Sequence, residues 1–132
     1  LVERGRVHAC HDVSDGGVLQ ALLEMSFASG AVLGFEAVRP PARGGVAADL
    51  AWFSEEPAFL VEVAAEDAET LLAALSDAGV LARALGEVTT GALRLREGTG
   101  DRAGVELDRG RLFEAWSSAL AGAFVVREEA LA

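Results

Sequence analysis

The sequence predicts an α+β domain, in which a mixed β-sheet is flanked by helices in a partly ferredoxin-like arrangement. Short apolar segments of strand length alternate with longer segments that have helical periodicity. Two strand–helix–strand units are followed by a glycine-bounded hairpin and a closing helix. With 132 residues, 52% of them hydrophobic, the chain is long enough for one core and is expected to form a single domain.

The first unit begins with a strand at Arg6–Cys10, and Ser14 or Asp15 is expected to cap a helix over Gly17–Ser29. Because this helix is apolar over most of its circumference, it should pack on two sides or under a sheet. Further strands are predicted at Ala31–Val38, Ala58–Val63, Leu81–Val88, Ala92–Arg96 and Gly104–Leu107, and helices at Ala47–Phe53, Glu66–Ala78 and Arg111–Ala123. Ala58–Val63 is apolar on both faces except at Glu62, which predicts a central strand.

The composition excludes several classes of protein. The net charge is −10 and every basic residue is an arginine, which argues against binding to nucleic acid or to an anionic membrane. No apolar run approaches the ~18–20 residues that span a bilayer. The single cysteine, Cys10, excludes an internal disulfide, fits a reducing, cytoplasmic compartment, and is expected to be a buried core thiol.

The most informative segment is His11–Gly17, where an apolar strand leads into two carboxylates, a hydroxyl and two glycines before a helix. Backbone N–H groups at the start of a helix lack intrahelical acceptors and favour negative charge. A carboxylate fits beside a phosphate only if a hard cation such as Mg²⁺ lies between them. In this interpretation Asp12 binds the metal, Ser14 donates to a phosphate or nucleotide, and the amides of Gly16 and Gly17 complete the phosphate site.

The same residues also fit a purely structural interpretation, a glycine turn in which Asp15 caps the helix and Asp12 points into solvent. From the residues alone, both interpretations stay open. A soft-metal site at His8, Cys10 and His11 is disfavoured, since strand alternation puts His11 on the opposite face. Ser54–Glu56 is interpreted as a turn with solvated acids.

Several segments together resemble one family. His11–Leu19, followed by Ala21–Met25, resembles the C-terminal region of phosphoribosylformylglycinamidine synthase, a purine-pathway ligase. Trp52–Glu56, Ala84–Thr89 and Trp116 resemble later segments of the same family. The resemblance implies that residues 1–132 are the C-terminal domain of a longer synthetase, with the fold of the aminoimidazole ribonucleotide synthetase-like superfamily. Independently of the resemblance, residues 124–132 are expected to be a frayed tail, since they lie at the end of the sequence and include acidic residues.

The resemblance also implies a chemistry: ATP-driven amidation of formylglycinamide ribonucleotide, with ammonia derived from glutamine. Asp12 then resembles the magnesium ligand, Ser14 the nucleotide-contacting serine, and Gly16 and Gly17 the phosphate-facing turn. His11 matches the motif but receives no role, and no catalytic residue is assigned. The implied cofactors are Mg²⁺ and ATP, and the implied partners are the N-terminal domains of the parent chain and a glutaminase subunit or domain.

On its own, the domain is expected to be inactive and to form a homodimer through the apolar surface of its first helix. Two alternatives stay open. One is a stand-alone α+β regulatory or dimerisation module without chemistry. The other is the equivalent domain of a related enzyme, such as aminoimidazole ribonucleotide synthetase or selenophosphate synthetase.

Overall fold

The computed structural model describes residues 5–30, 32–42, 44, 47–97 and 104–119. Within these residues, three α-helices and a short 3₁₀ helix are interspersed with six strands. In chain order the elements are β1 (Val7–Val13), α1 (Gly17–Ala28), β2 (Leu33–Val38), the 3₁₀ helix (Ala48–Phe53), β3 (Ala58–Val63), α2 (Ala65–Asp77), β4 (Gly86–Thr90), β5 (Leu93–Arg96), β6 (Val105–Glu106) and α3 (Arg109–Ser118). The α+β class is confirmed.

The described strands form two sheets rather than the single sheet expected. Strands β1 and β3 pair antiparallel, while the second sheet has the order β4-β2-β5-β6. Its central pair, β2 and β5, is parallel, and its outer pairs are antiparallel, so this sheet is mixed as predicted. Strands β1 and β2 flank α1 in sequence but lie in different sheets, and α1 contacts strands of both sheets.

Helix α1 contacts both sheets and the 3₁₀ helix, which confirms that it packs on more than one side. The core forms where its buried face meets the four-stranded sheet and Trp52 of the 3₁₀ helix. The buried members of this core are Leu23, Phe27, Phe35, Ala37, Trp52 and Leu93. The burial of these side chains is the main source of stability for a domain of this size.

Strand β3 has the predicted bounds, but its predicted central position is wrong within the described residues. It pairs with β1 alone, and the side chains of Phe59 and Val61 remain 73% and 44% exposed. An apolar strand therefore does not have to be a central strand, since a partner that lies outside these residues can bury its exposed side chains. Cys10, paired with Val61, is exposed rather than buried as expected.

Two later elements also differ from prediction. Strand β4 begins at Gly86 instead of Leu81, so the segment before it is not strand. Helix α3 begins earlier than expected, because the Asp108 side chain accepts a hydrogen bond from the Arg111 amide at 3.1 Å and caps the helix. The predicted end of this helix and the frayed tail at residues 124–132 lie outside the described residues. In the described part of the chain, no helix is both long and apolar enough to cross a membrane.

Candidate functional site

The His11–Gly17 motif lies at the end of β1 and the start of α1. Strand β1 continues to Val13, three residues beyond the predicted end, so His11 and Asp12 lie within the strand. Their side chains therefore point to opposite faces. His11 is half-buried on the side of α1, whereas Asp12 shares the outer face with the exposed Cys10.

Asp12 is presented to solvent. Its side chain is 66% exposed, and its cross-strand neighbour is the exposed Phe59. Ser14, two residues further along, is also exposed. Both of these predicted site residues are therefore accessible to a ligand or to a covering domain.

The two glycines form the turn into α1, and both have positive φ angles, 82° for Gly16 and 71° for Gly17. Gly16 is the N-cap residue, so the prediction that Ser14 or Asp15 caps the helix through its side chain is wrong. Instead, the Gly17 amide donates to the Ser14 carbonyl oxygen at 3.0 Å. This tight turn satisfies a backbone donor that a side-chain cap would otherwise have to satisfy.

A further contact closes the turn from the other side. The Gly16 amide donates to Oε1 of Glu55 at 3.0 Å, across 39 residues of sequence. A Cβ on Gly17 would lie 2.5 Å from the carbonyl carbon of Phe53. The glycine turn therefore packs directly against the end of the 3₁₀ helix, and Glu55, which is exposed as predicted, also accepts a hydrogen bond from it.

This packing changes the interpretation of the glycines. The amide of Gly17 is occupied by a backbone carbonyl, and that of Gly16 by a carboxylate. Glu55 stands where the helix N-terminus favours an anion. A phosphate that binds the Gly16 amide must therefore displace Glu55.

His11 has a defined environment, although the sequence assigned it no role. Its Nδ1 lies 2.6 Å from the carbonyl oxygen of Asp12, and its Nε2 lies 3.2 Å from Oε2 of Glu24. Both ring nitrogens face oxygen acceptors, and a neutral ring can donate to only one of them. The imidazole is thus held between the backbone of the motif and helix α1.

Glu24 is held in turn by two other donors. Its Oε1 accepts from Nε2 of Gln20 at 2.8 Å and from Nε1 of Trp116 at 3.2 Å. We refer to His11, Gln20, Glu24 and Trp116 as the Glu24 cluster. It connects helix α3 to the strand end that carries Asp12.

One residue of the motif, Asp12, is chemically suited to bind a metal ion. A carboxylate oxygen is a ligand that Mg²⁺ prefers, and Asp12 offers one from an exposed position. Among the residues that the structure describes, no group of three or more His, Cys, Asp or Glu side chains is arranged to hold a metal ion. The described residues thus include a suitable ligand but not a complete site.

Comparison with known proteins agrees with this architecture. Residues 1–96 match the family model described as AIR synthase related protein, C-terminal domain. The chain belongs to this family. The match includes β1, α1 and the 3₁₀ helix, and therefore both sides of the glycine turn.

The chain is also similar to curated members of the PurL group. It is 37% identical over 118 residues to phosphoribosylformylglycinamidine synthase subunit PurL of Methylocella silvestris, which covers 88% of this chain and 15% of the relative. The corresponding subunit of Salinibacter ruber is 46% identical over 100 residues, 74% of this chain and 13% of the relative. A probable phosphoribosylformylglycinamidine synthase of Caenorhabditis elegans is 36% identical over 81 residues, 61% of this chain and 6% of the relative. The chain thus spans about one seventh, or less, of the length of these relatives.

The sequence alone does not predict the contacts of Glu24 and Glu55 in this domain. Glu24 carried a weak signal, since it forms a polar edge with Gln20 one helical turn away on an otherwise apolar helix. Glu55 lies in the segment Trp52–Glu56 that resembles the family, but no pattern in that segment predicts the contact of Glu55 with Gly16. This contact depends on the packing of the 3₁₀ helix.

Proposed function

We propose that this chain is the C-terminal domain of an ATP-dependent phosphoribosylformylglycinamidine synthase. In this proposal the parent enzyme acts in purine biosynthesis and amidates formylglycinamide ribonucleotide, using ammonia released from glutamine by a glutaminase subunit or domain. The observation that carries the proposal is the 37% identity with a PurL subunit over 118 residues, which extends across 88% of the chain.

The position of Asp12 supports a role in binding Mg²⁺ and nucleotide. It lies on the outer face of β1, beside the exposed apolar side chains of β3. A preceding domain of the parent chain that covered Phe59 and Val61 would lie directly over Asp12. The remaining metal ligands are then expected from that domain, since the described residues do not supply a full set.

When bound, Mg²⁺ neutralises phosphate charge and so assists phosphoryl transfer. The role of this chain is to place the oxygen donors. Asp12 offers a carboxylate to the metal, and Ser14 offers a hydroxyl to the nucleotide. The place of Asp12 in β1 directs its carboxylate outward, and the amide of Gly16 becomes a phosphate donor if Glu55 is displaced.

The proposal is tested by Asp12→Asn in the full-length enzyme. This change removes one ligand charge and preserves the side-chain volume, so we expect the affinity for Mg²⁺–ATP to fall about tenfold or more. The free energy of unfolding should be unchanged, because Asp12 is exposed. Nucleotide binding is measured by calorimetric titration with and without Mg²⁺, and stability by urea denaturation.

Asp15→Asn is the matched control, since it removes the same charge from the same turn. It should bind Mg²⁺–ATP like the unmodified enzyme. If the Asp12 variant bound Mg²⁺–ATP as tightly as the Asp15 variant and the unmodified enzyme do, Asp12 would lie outside the nucleotide site. A loss of stability in the Asp12 variant would assign it a structural role instead.

We also propose that the isolated domain self-associates, but through a different surface from the one expected. Helix α1 is covered by the two sheets, whereas Phe59 and Val61 form an exposed apolar patch on β3. Such a patch favours association between identical copies about a twofold axis. Sedimentation of the 132-residue chain at micromolar concentration should give a dimer, and Phe59→Glu should convert it to a monomer.

Leu81→Glu serves as the control for this change, because Leu81 is 83% exposed and lies outside β3. It introduces the same charge and should leave the dimer intact. A monomeric mass for the unmodified chain up to hundreds of micromolar would refute the proposed self-association.

A further inference from the structure

We propose that Glu24 is a positioning residue for the strand end that carries Asp12, and that it acts by holding the His11 imidazole. An effect of Glu24 on metal binding is expected only if the proposed function above holds. An effect of Glu24 on the geometry of the turn is expected whether or not that function holds, and the two effects can be measured separately.

The contacts form an unbroken path. Oε2 of Glu24 lies 3.2 Å from Nε2 of His11, and the other nitrogen of that ring lies 2.6 Å from the carbonyl oxygen of Asp12. The imidazole therefore lies between an oxygen of helix α1 and an oxygen of the strand backbone. A contact with the Asp12 carbonyl oxygen restrains the strand backbone at Asp12, and the Asp12 carboxylate projects from that backbone on the face opposite to His11.

Glu24 is suited to this role because two other side chains hold its carboxylate in place. Oε1 accepts hydrogen bonds from Gln20, one turn earlier in α1, and from Trp116 in α3. The side chains of His11 and Glu24 are 28% and 29% exposed, so water competes only partly with their contact. Partners of this kind, which orient a group next to a metal ligand, commonly change metal affinity by ~10–100-fold when removed.

The test compares Glu24→Ala with Glu24→Gln. Alanine removes every contact of the carboxylate. Glutamine keeps an oxygen that accepts from Trp116 and an amide N–H that donates to Nε2 of a neutral ring, so it should rescue positioning. Ser26→Ala is the matched control: it removes a buried hydrogen bond from the same helix to the Leu33 carbonyl, away from His11.

Two quantities are measured in the full-length enzyme. The first is amide hydrogen exchange over residues 12–16 without ligand, which we expect to accelerate about tenfold in the alanine variant only. The second is the dissociation constant for Mg²⁺–ATP, which we expect to rise about tenfold in the alanine variant and to stay within about threefold of the original for glutamine. Ser26→Ala should lower the melting temperature without changing either quantity.

The outcomes separate the two proposals. Faster exchange in the alanine variant, together with an Asp12→Asn variant that binds Mg²⁺–ATP normally, would support positioning by Glu24 and refute the proposed metal role of Asp12. Unchanged exchange in the alanine variant would overturn positioning, whatever happens to nucleotide binding. Equal effects of Glu24→Ala and Ser26→Ala on both measurements would also overturn it, since they would indicate a general loss of stability.

Discussion

Replacement of Gly17 by alanine is expected to destabilise the domain by about 3 kcal/mol or more, and so to remove a large share of its folding free energy. Two effects add at this position. A residue with a Cβ pays about 1–2 kcal/mol in the left-handed region that Gly17 occupies, with φ at 71°. The new methyl group would also lie 2.5 Å from the carbonyl carbon of Phe53, and backbone cannot move aside as a flexible side chain can.

Gly79→Ala separates these two effects. Gly79 has nearly the same φ, 73°, but a Cβ there would meet nothing within 4 Å. This control should lose only the conformational part, about 1 kcal/mol, when both variants are compared by urea denaturation at equal m-values. Equal losses for the two variants would show that the 3₁₀ helix does not close on the glycine turn as described.

The packing of Gly17 against Phe53 also bears on functional data at this position. Because the glycine is required by packing against Phe53, a loss of activity in the alanine variant is no evidence of a phosphate contact. Asp12 and Ser14 are better positions for testing ligand binding, since both are exposed and neither supports the core.

Truncation of Leu93 is expected to have the second large effect. Leu93 on β5 is 1% exposed and lies in the core formed by α1, the four-stranded sheet and Trp52. Leucine-to-alanine changes at such sites cost about 2–5 kcal/mol, through lost burial and the cavity that remains. Urea denaturation of Leu93→Ala should show a lower midpoint with little change in the m-value.

Leu81→Ala is the matched control, because the same atoms are removed from a side chain that is 83% exposed. Its free energy of unfolding should change by no more than about 0.5 kcal/mol. A small effect at Leu93 would contradict the assignment of the core to this sheet and helix.

Local patterns in the sequence were sufficient to predict the class and most of the elements. The bounds of β3 were predicted to the residue, and α1 and α2 to within one residue at each end. Their apolar periodicity and the glycines that follow the helices depend on neighbours in the chain, which are visible in the sequence. The site residues predicted from one continuous segment, His11–Gly17, stay a prediction.

Only the tertiary structure decided how these elements meet. The strands divide into two sheets that both contact α1, and the exposure of β3 is consistent with its having β1 as its only described strand partner. The contact of Glu55 with Gly16 spans 39 residues, and that of Trp116 with Glu24 spans 92. Side chains this far apart in sequence are brought together by the packing of whole elements, and no local pattern records which donor meets which acceptor. The sequence by itself therefore determined which residues form the glycine turn, and the fold determined what holds it.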